Sequence, residues 1–200
     1  MNYKISILEE KDFITSDWSG GRTTQMYIYP ENSIYRNLDF KWRISSATVD
    51  LEESDFTELK GVHRFITTLD NELKLTHDYK DFIELKPFEI YEFEGDLKTH
   101  SYGKVKDFNL MLANGATGDL VSLYVDNEIS LKIESESSQR KFELFYSYNE
   151  SLLISIDSKD FELKARDLLV LELDANSVIY INLKTTNPAI ILHAKLQVWS

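Results

Sequence analysis

Hydrophobic and polar residues alternate along almost the whole chain, in short runs separated by Asp, Asn, Gly and Ser. A period of two is typical of β-strands that bury one face, and runs about ten residues apart are typical of a sandwich or barrel. The pattern predicts strands over residues 4–9, 25–29, 40–49, 64–69, 72–76, 89–94, 107–113, 120–125, 129–134, 141–146, 152–156, 168–173, 178–183 and 189–198. Residues 52–59 are predicted to form one short helical turn. We therefore expect an all-β fold with very little helix.

The predicted strand that begins at Phe40 has two unlike faces, because side chains on a strand alternate in direction. One face carries large apolar residues: Phe40, Trp42 and Ile44. The other carries cations among small residues: Lys41, Arg43, Ser45 and Ala47. The first is a candidate core face. A long cation among small neighbours favours free space above Arg43, which is either bulk water or a pocket.

A second predicted strand repeats this division. Phe108 and Leu110 share one face, whereas Asp107, Asn109 and Met111 share the other. If its polar face meets that of the Arg43 strand, the two form a polar cluster inside a β-sandwich.

A third candidate for the cluster is Arg64, which alternates with Val62 and Ile66 and therefore needs a partner if it is buried. Asp107 and Asp96 are the candidate partners. The alternative is that Arg43 and Arg64 are solvated or form structural salt bridges.

The chain contains one internal similarity. Residues 80–86 resemble residues 159–164 with one deletion, and the segments before and after them, 72–75 with 151–154 and 90–93 with 168–171, also correspond. Repetition of a strand–turn–strand–strand unit predicts two similar β-domains, over 1–115 and 116–200, with strand exchange between the halves allowed. The alternative is chance similarity between hairpins of common residues.

Composition limits the classes of function. The 200 residues include no cysteine, which excludes disulfides, thiolate metal sites and cysteine nucleophiles. A formal net charge of -12 without a dense basic block disfavours nucleic-acid binding. The start of the chain lacks the apolar core of a signal peptide, and no segment has the length of a membrane span. We therefore expect a soluble cytoplasmic protein with neither nucleic-acid nor membrane partners.

Motifs with catalytic or metal-binding spacing are lacking. The four histidines are too far apart in sequence for a His-x-His or His-x-x-x-His metal site, so no metal or other cofactor is predicted. The Gly20-Gly21 pair precedes a predicted strand rather than a helix, which favours a tight turn over a phosphate-binding loop.

Taken in order, several motifs resemble the HutD/Ves family of bacterial cupin-like proteins. They are Trp18-Ser19-Gly20-Gly21-Arg22-Thr23, Phe40-Lys41-Trp42-Arg43-Ile44-Ser45-Ser46-Ala47, Phe56 with Gly61-Val62-His63-Arg64, Phe93-Glu94-Gly95-Asp96, and Asp107-Phe108-Asn109-Leu110-Met111. The resemblance covers about residues 18–111 and continues more weakly to the end. It implies a bicupin, with two jelly-roll barrels in one chain. It also implies an association with histidine utilisation through binding of a metabolite such as urocanate or a formylglutamate-like compound.

These observations place a candidate ligand site in the N-terminal barrel. Arg43 and Arg64 are expected to anchor a small anionic metabolite through its carboxylate, with neutral hydrogen bonds from Ser45 and Asn109. Asp107 or Asp96 is expected to orient an arginine. The remaining candidates shape the rim: Trp18, Gly20, Gly21 and Thr23.

The main hypothesis is a metal-independent small-molecule-binding protein that regulates histidine utilisation. The first alternative is a cupin enzyme, an isomerase or hydrolase, with Asp107 or His63 as general base. The second is a structural protein with a filled barrel and fully paired arginines. Pairing of two copies through sheet edges would give a homodimer, although no edge is identified.

Overall fold

The computed structural model describes residues 3–136 and 139–199, and these are all-β apart from 3₁₀ turns at Glu10–Asp12 and Tyr35–Asn37. The strands, numbered in chain order, are β1 (Tyr3–Leu8), β2 (Ile14–Trp18), β3 (Gly21–Tyr29), β4 (Trp42–Val49), β5 (Glu53–Asp55), β6 (Val62–Thr68), β7 (Leu73–Thr76), β8 (Ile83–Leu85), β9 (Tyr91–Glu94), β10 (His100–Tyr102), β11 (Lys106–Ala113), β12 (Ala116–Val125), β13 (Glu128–Glu134), β14 (Gln139–Ser147), β15 (Leu152–Ile156), β16 (Lys159–Leu163), β17 (Leu168–Leu173), β18 (Val178–Lys184) and β19 (Ala189–Trp199). The all-β prediction is confirmed.

The chain divides into two compact units. Residues 13–116 form the N-terminal unit, and the described parts of 1–12 and 117–200 form the C-terminal unit. Strand β1 therefore belongs to the C-terminal unit, where it pairs with β17, although it begins the chain.

Each unit contains one large and one small sheet, and their paired strands are antiparallel. The N-terminal unit has a six-stranded sheet in the order β2-β3-β4-β11-β6-β9 and a four-stranded sheet in the order β5-β10-β7-β8. The C-terminal unit has a five-stranded sheet in the order β1-β17-β14-β19-β12 and a four-stranded sheet in the order β13-β18-β15-β16.

The two units share one strand order. The order β4-β11-β6-β9 matches β12-β19-β14-β17, and β5-β10-β7-β8 matches β13-β18-β15-β16. The similar sequence segments fall in corresponding elements, β7 to β9 and β15 to β17. Hairpin β2–β3 extends the large sheet of the N-terminal unit, and β1 extends that of the C-terminal unit.

Alternation on β4 places Trp42 and Ile44 on one apolar face, as predicted. The prediction that Phe40 shares this face is wrong, because Phe40 precedes β4 and packs with Val62 and Met111 instead. Trp42 and Ile44 are fully buried, as are Phe108 and Leu110 on the adjacent strand β11. The rings of Tyr27 and Tyr29 stack on Trp42. The polar residues of both strands therefore point to the opposite face of the sheet.

The polar face of the six-stranded sheet carries two apolar clusters. One contains Ile66, Val49 and Phe93 together with Leu73, Leu75 and Leu85 of the small sheet. The other contains Phe40, Val62 and Met111. The polar residues of the middle strands lie between these clusters.

Every predicted strand is present, with its bounds shifted by a few residues. The sequence missed three short strands, β2, β5 and β10, and indicated β8 and β16 only through the repeated strand–turn–strand–strand unit. The short helical turn predicted for residues 52–59 is wrong. Residues Glu53–Asp55 instead form β5, because their backbone pairs with β10. So short a strand leaves no periodic signal in the sequence.

Candidate functional site

Three neighbouring strands bring the predicted polar residues together on one face. The register aligns Arg43 with Met111 and Met111 with Arg64, so the two arginines share a row across β4, β11 and β6. The next row aligns Ser45 with Asn109. The row after that contains Asp107, opposite Ala47. Neighbouring strands are about 4.8 Å apart, so the two arginine backbones lie about 10 Å apart.

Arg43 is buried, with 5% of its surface exposed. Its Nε donates to Gln25 Oε1 at 2.8 Å and its Nη1 to Ser45 Oγ at 2.9 Å. The guanidinium carbon lies 4.2 Å from the centre of the Tyr35 ring, which is a cation–π contact. Burial lowers the pKa of Arg43 to about 10, a sign that the charge is poorly compensated.

Arg64 is equally buried, with 6% exposed. Its Nη2 donates to Asn109 Oδ1 at 2.9 Å, and its guanidinium carbon lies 4.9 Å and 5.1 Å from the ring centres of Phe56 and Phe93. Its buried Nε has no hydrogen-bond partner among the described residues. Burial lowers its pKa from the usual value.

Asp107 reaches Arg64 through an amide rather than by an ion pair. Asp107 Oδ1 accepts from the backbone N–H of Ala47 at 2.9 Å and from Asn109 Nδ2 at 2.7 Å. Because Asn109 donates to a carboxylate and accepts from a guanidinium, only one orientation of its amide fits. Burial raises the pKa of Asp107 to about 6.

Neither buried arginine pairs with a carboxylate of any residue that the structure describes. Among the described residues, the arginines that form ion pairs are Arg22, Arg140 and Arg166. The hypothesis of a filled barrel required Arg43 and Arg64 to be fully paired, and the structure contradicts it.

A cavity of about 440 Å³ opens above these residues. Seven residues predicted from the sequence line it: Trp18, Thr23, Arg43, Ser45, Arg64, Asp107 and Asn109. The sequence missed Tyr35 and Phe56, which also line it. Tyr35 lies on a 3₁₀ turn and Phe56 follows β5, so neither belongs to a strand with a predictable face. Gln25, which binds Arg43, was missed as well.

Gly20, Gly21 and Asp96 do not line the cavity. Gly21 has a φ of 151°, and a Cβ there would lie 1.9 Å from the carbonyl oxygen of Thr48. A Cβ on Gly20 would lie 2.0 Å from the ring of Trp18. The glycines therefore let hairpin β2–β3 approach β4 and let Trp18 fold over the turn. Asp96 is exposed beyond the end of β9.

His63, a candidate general base, also lies outside the cavity, with its ring nitrogens 2.8 Å from Glu94 and 3.3 Å from Glu92. Within residues 3–136 and 139–199, no three His, Asp or Glu side chains cluster in a way that suits a metal ion. The same residues contain no helix long and apolar enough to cross a bilayer.

A larger, more open depression of about 790 Å³ lies in the C-terminal unit. Its two lysines have carboxylate partners: Lys132 contacts Glu134, and Lys141 lies 3.4 Å from Glu143. Charges that are already compensated give no reason to bind an anion there. The cavity of the N-terminal unit is therefore the better candidate.

Comparison with known proteins agrees with the resemblance predicted from the sequence. The model of the HutD family matches residues 10–191. No curated protein matches the chain.

Solved structures share the fold at low sequence identity. A conserved protein of unknown function, PA5104 from Pseudomonas aeruginosa PAO1, has a TM-score of 0.80 at 23% identity, covering 96% of this chain and 98% of its own. HutD from Pseudomonas fluorescens SBW25 has a TM-score of 0.71 at 21% identity with the same coverage. AerE from Microcystis aeruginosa, at 10% identity and a TM-score of 0.63, covers 93% of this chain and 97% of its own. These similarities, which include cupin-like proteins, show the fold alone.

Proposed function

The chain belongs to the HutD family, and we propose that it binds a small carboxylate metabolite in the N-terminal unit without a metal ion. The observation that carries this proposal is the pair of buried guanidinium groups that face a cavity and have no carboxylate partner among the described residues. In the proposed architecture each unit is one barrel of a bicupin. The shared strand order of the two units supports that architecture.

The charges inside the cavity favour an anion. Two buried guanidinium groups are opposed by one buried carboxylate, Asp107, which is bound to Asn109 and to a backbone N–H. A buried charge without a partner is costly, so an anion that pairs with the arginines stabilises the folded protein.

The donors suit a carboxylate. Arg43 Nη2, Arg64 Nη1 and Arg64 Nε make no hydrogen bond to any described residue. A guanidinium presents donors in a planar fork that matches the two oxygens of a carboxylate. The volume of about 440 Å³ lies within the range of small-molecule sites, and Tyr35 and Phe56 provide apolar walls.

The family supplies the proposed context, which is regulation of histidine utilisation by a metabolite such as urocanate or a formylglutamate-like acid. The structure of HutD from Pseudomonas fluorescens carries the description "Formate condition", and formate is the smallest carboxylate probe. The panel for binding therefore includes formate, acetate, urocanate and N-formylglutamate, with inorganic phosphate as a non-carboxylate anion.

The test is the melting temperature of the protein with and without each acid. We expect at least one carboxylate to raise it, because a ligand that binds only the native state stabilises that state. The gain should disappear in Arg43→Ala and Arg64→Ala. It should persist in Arg22→Ala, a matched change at an exposed arginine outside the cavity.

Two results would count against the proposal: no acid raises the melting temperature, or the Arg43→Ala variant responds as fully as the unmodified protein. The enzyme alternative is separated by following each bound acid by NMR. Conversion of an acid that stops in Asp107→Asn would favour catalysis over simple binding.

A further inference from the structure

Asp107 has an unused hydrogen-bond acceptor at the cavity. Both hydrogen bonds to its carboxylate fall on Oδ1, from the Ala47 backbone and from Asn109. Oδ2 accepts no hydrogen bond from any residue that the structure describes. Asp107 is 3% exposed and lines the cavity, so water reaches it only from that side.

The unused oxygen lies a short distance from the guanidinium groups. Arg43 bonds to Ser45 and Arg64 bonds to Asn109, so both guanidinium groups lean toward the Ser45–Asn109 row. Asp107 is the next residue on the same face of β11, and two residues along a strand span about 7 Å. A chain of about three to five bonded atoms covers that distance.

We infer that the ligand carries a hydrogen-bond donor, either an ammonium or a hydroxyl group. Asp107 Oδ2 accepts a hydrogen bond from this donor while the two arginines bind the carboxylate of the ligand. The ligand class is therefore a short amino or hydroxy acid, with the donor at the end opposite the carboxylate. This inference rests on the proposed function and specifies which carboxylates bind best.

The other carboxylates at the cavity are poorer acceptors. The Asp55 side chain is 70% exposed and lies 2.8 Å from His100 Nδ1, and that of Asp17 is 86% exposed. Water solvates both, so a ligand donor gains little by replacing it. A ligand without a donor leaves Asp107 Oδ2 desolvated and unpaired, which costs more than the loss of an exposed hydrogen bond.

The test compares acids with the same four-carbon chain at pH 8: butyrate, 4-hydroxybutyrate and 4-aminobutyrate. Titration calorimetry should give dissociation constants for the hydroxy and amino acids at least about tenfold below that of butyrate, as expected for a hydrogen bond to a charged group. Equal or tighter binding of butyrate would overturn the inference and leave the proposed function intact. Failure of all three acids, together with the whole carboxylate panel, would overturn both.

The Asp107→Asn variant sharpens the test. Its Oδ1 still accepts from Ala47 and Asn109, which places an N–H donor where Oδ2 was. The preference should then invert toward 4-oxopentanoate, whose ketone accepts a hydrogen bond, and away from 4-aminobutyrate. An unchanged order of affinities would contradict the role of Asp107.

The matched control is Asp81→Asn, in the exposed segment between β7 and β8. It should keep the unmodified order of affinities. If circular dichroism shows that Asp107→Asn does not fold, the affinities of the unmodified protein for the three acids are the test of the inference.

Discussion

Arg64 and Asn109 of the N-terminal unit occupy the same places as Glu143 and His193 of the C-terminal unit. The similar segments 90–93 and 168–171 align Phe93 with Leu171. Arg64 pairs across the sheet with Phe93, as Glu143 pairs with Leu171.

The neighbouring strands preserve this correspondence. Asn109 lies opposite Ile66, two residues beyond Arg64, and His193 lies opposite Phe145, two residues beyond Glu143.

The two pairs differ in how their charges are compensated. Glu143 and His193 are 0% and 1% exposed, and their Oε2 and Nε2 atoms lie 2.5 Å apart. Glu143 also lies 3.4 Å from Lys141. In the N-terminal unit, the corresponding contact joins Arg64 to a neutral amide. The C-terminal pair is therefore an acid beside two basic groups, whereas Arg64 keeps an uncompensated charge.

The residues next to each pair also differ between the two units. The residue two positions before His193 is Ile191, which joins an aliphatic core with Leu169, Leu171 and Ile181. The residue two positions before Asn109 is Asp107, which lines the cavity. One strand order thus supports an aliphatic core beside the pair in one unit and a polar cavity beside it in the other, and the difference depends on a few inward-facing side chains.

The largest expected effect on stability comes from breaking the Glu143–His193 pair. Glu143→Leu should lower the free energy of unfolding by about 4 kcal/mol, because it removes the buried carboxylate that contacts both the His193 ring and the Lys141 ammonium group. Urea denaturation measures the loss. The double variant Glu143→Leu with His193→Phe should recover most of it. A loss below about 1 kcal/mol in the single variant would show that the pair is not coupled.

Asp107 should make the stability of the N-terminal unit depend on pH. Burial raises its pKa from 3.8 to about 6, against smaller lowering effects of the Ala47 N–H, Arg64 and Asn109 and a raising effect of Asp70. The native state therefore binds the proton more tightly than the unfolded state. The free-energy cost of burying the ionised carboxylate is absent below about pH 3.8. It grows between pH 3.8 and about pH 6 and is complete above about pH 6.

This cost is about 3 kcal/mol for a shift of about two pKa units. Measured by urea denaturation without ligand, the stability of Asp107→Asn relative to the unmodified protein should rise by that order between pH 4 and pH 7. A difference that stays constant with pH would contradict the shift. Subtracting the two proteins removes the contribution of the other carboxylates.

Arg64→Met should not lower the free energy of unfolding, in contrast to Glu143→Leu. The unbranched side chain fits between Phe56 and Phe93, and the change removes a buried charge that has no carboxylate partner in the described chain. Without ligand, the free energy of unfolding should stay unchanged or rise by up to about 1 kcal/mol, while carboxylates no longer raise the melting temperature. A loss of several kcal/mol would mean that Arg64 is structural.

The smallest effect is expected at Tyr35. Tyr35→Ala removes the ring that lies 4.2 Å from Arg43, so the guanidinium loses a cation–π contact and some of its orientation. Carboxylate affinity should fall about fivefold, the equivalent of about 1 kcal/mol. Calorimetry with the tightest-binding acid of the panel measures it. The Tyr35→Phe variant keeps a ring and should bind nearly as well as the unmodified protein.

The sequence predicted the strand faces well because alternation on β4, β6 and β11 is a local property. It therefore identified Arg43, Arg64 and Asn109, whose directions follow from the strand period. It missed Tyr35 and Phe56, since the direction of a side chain in a turn depends on tertiary packing. It included Asp96 on its charge and its place in a family motif. That residue lies outside the cavity, because nothing in the strand pattern fixes where a loop carboxylate points.

If the protein binds a carboxylate as proposed, the uncompensated guanidinium groups would also make its lifetime depend on that ligand. A protein that carries unpaired buried charges spends more time unfolded when it is empty, and unfolded chains are the substrate of proteases. Ligand at a hundred times its dissociation constant would add about 2.7 kcal/mol to stability, which lowers the unfolded fraction about a hundredfold. The abundance of the chain would then rise with the concentration of the acid, because the bound protein is degraded more slowly than the empty protein.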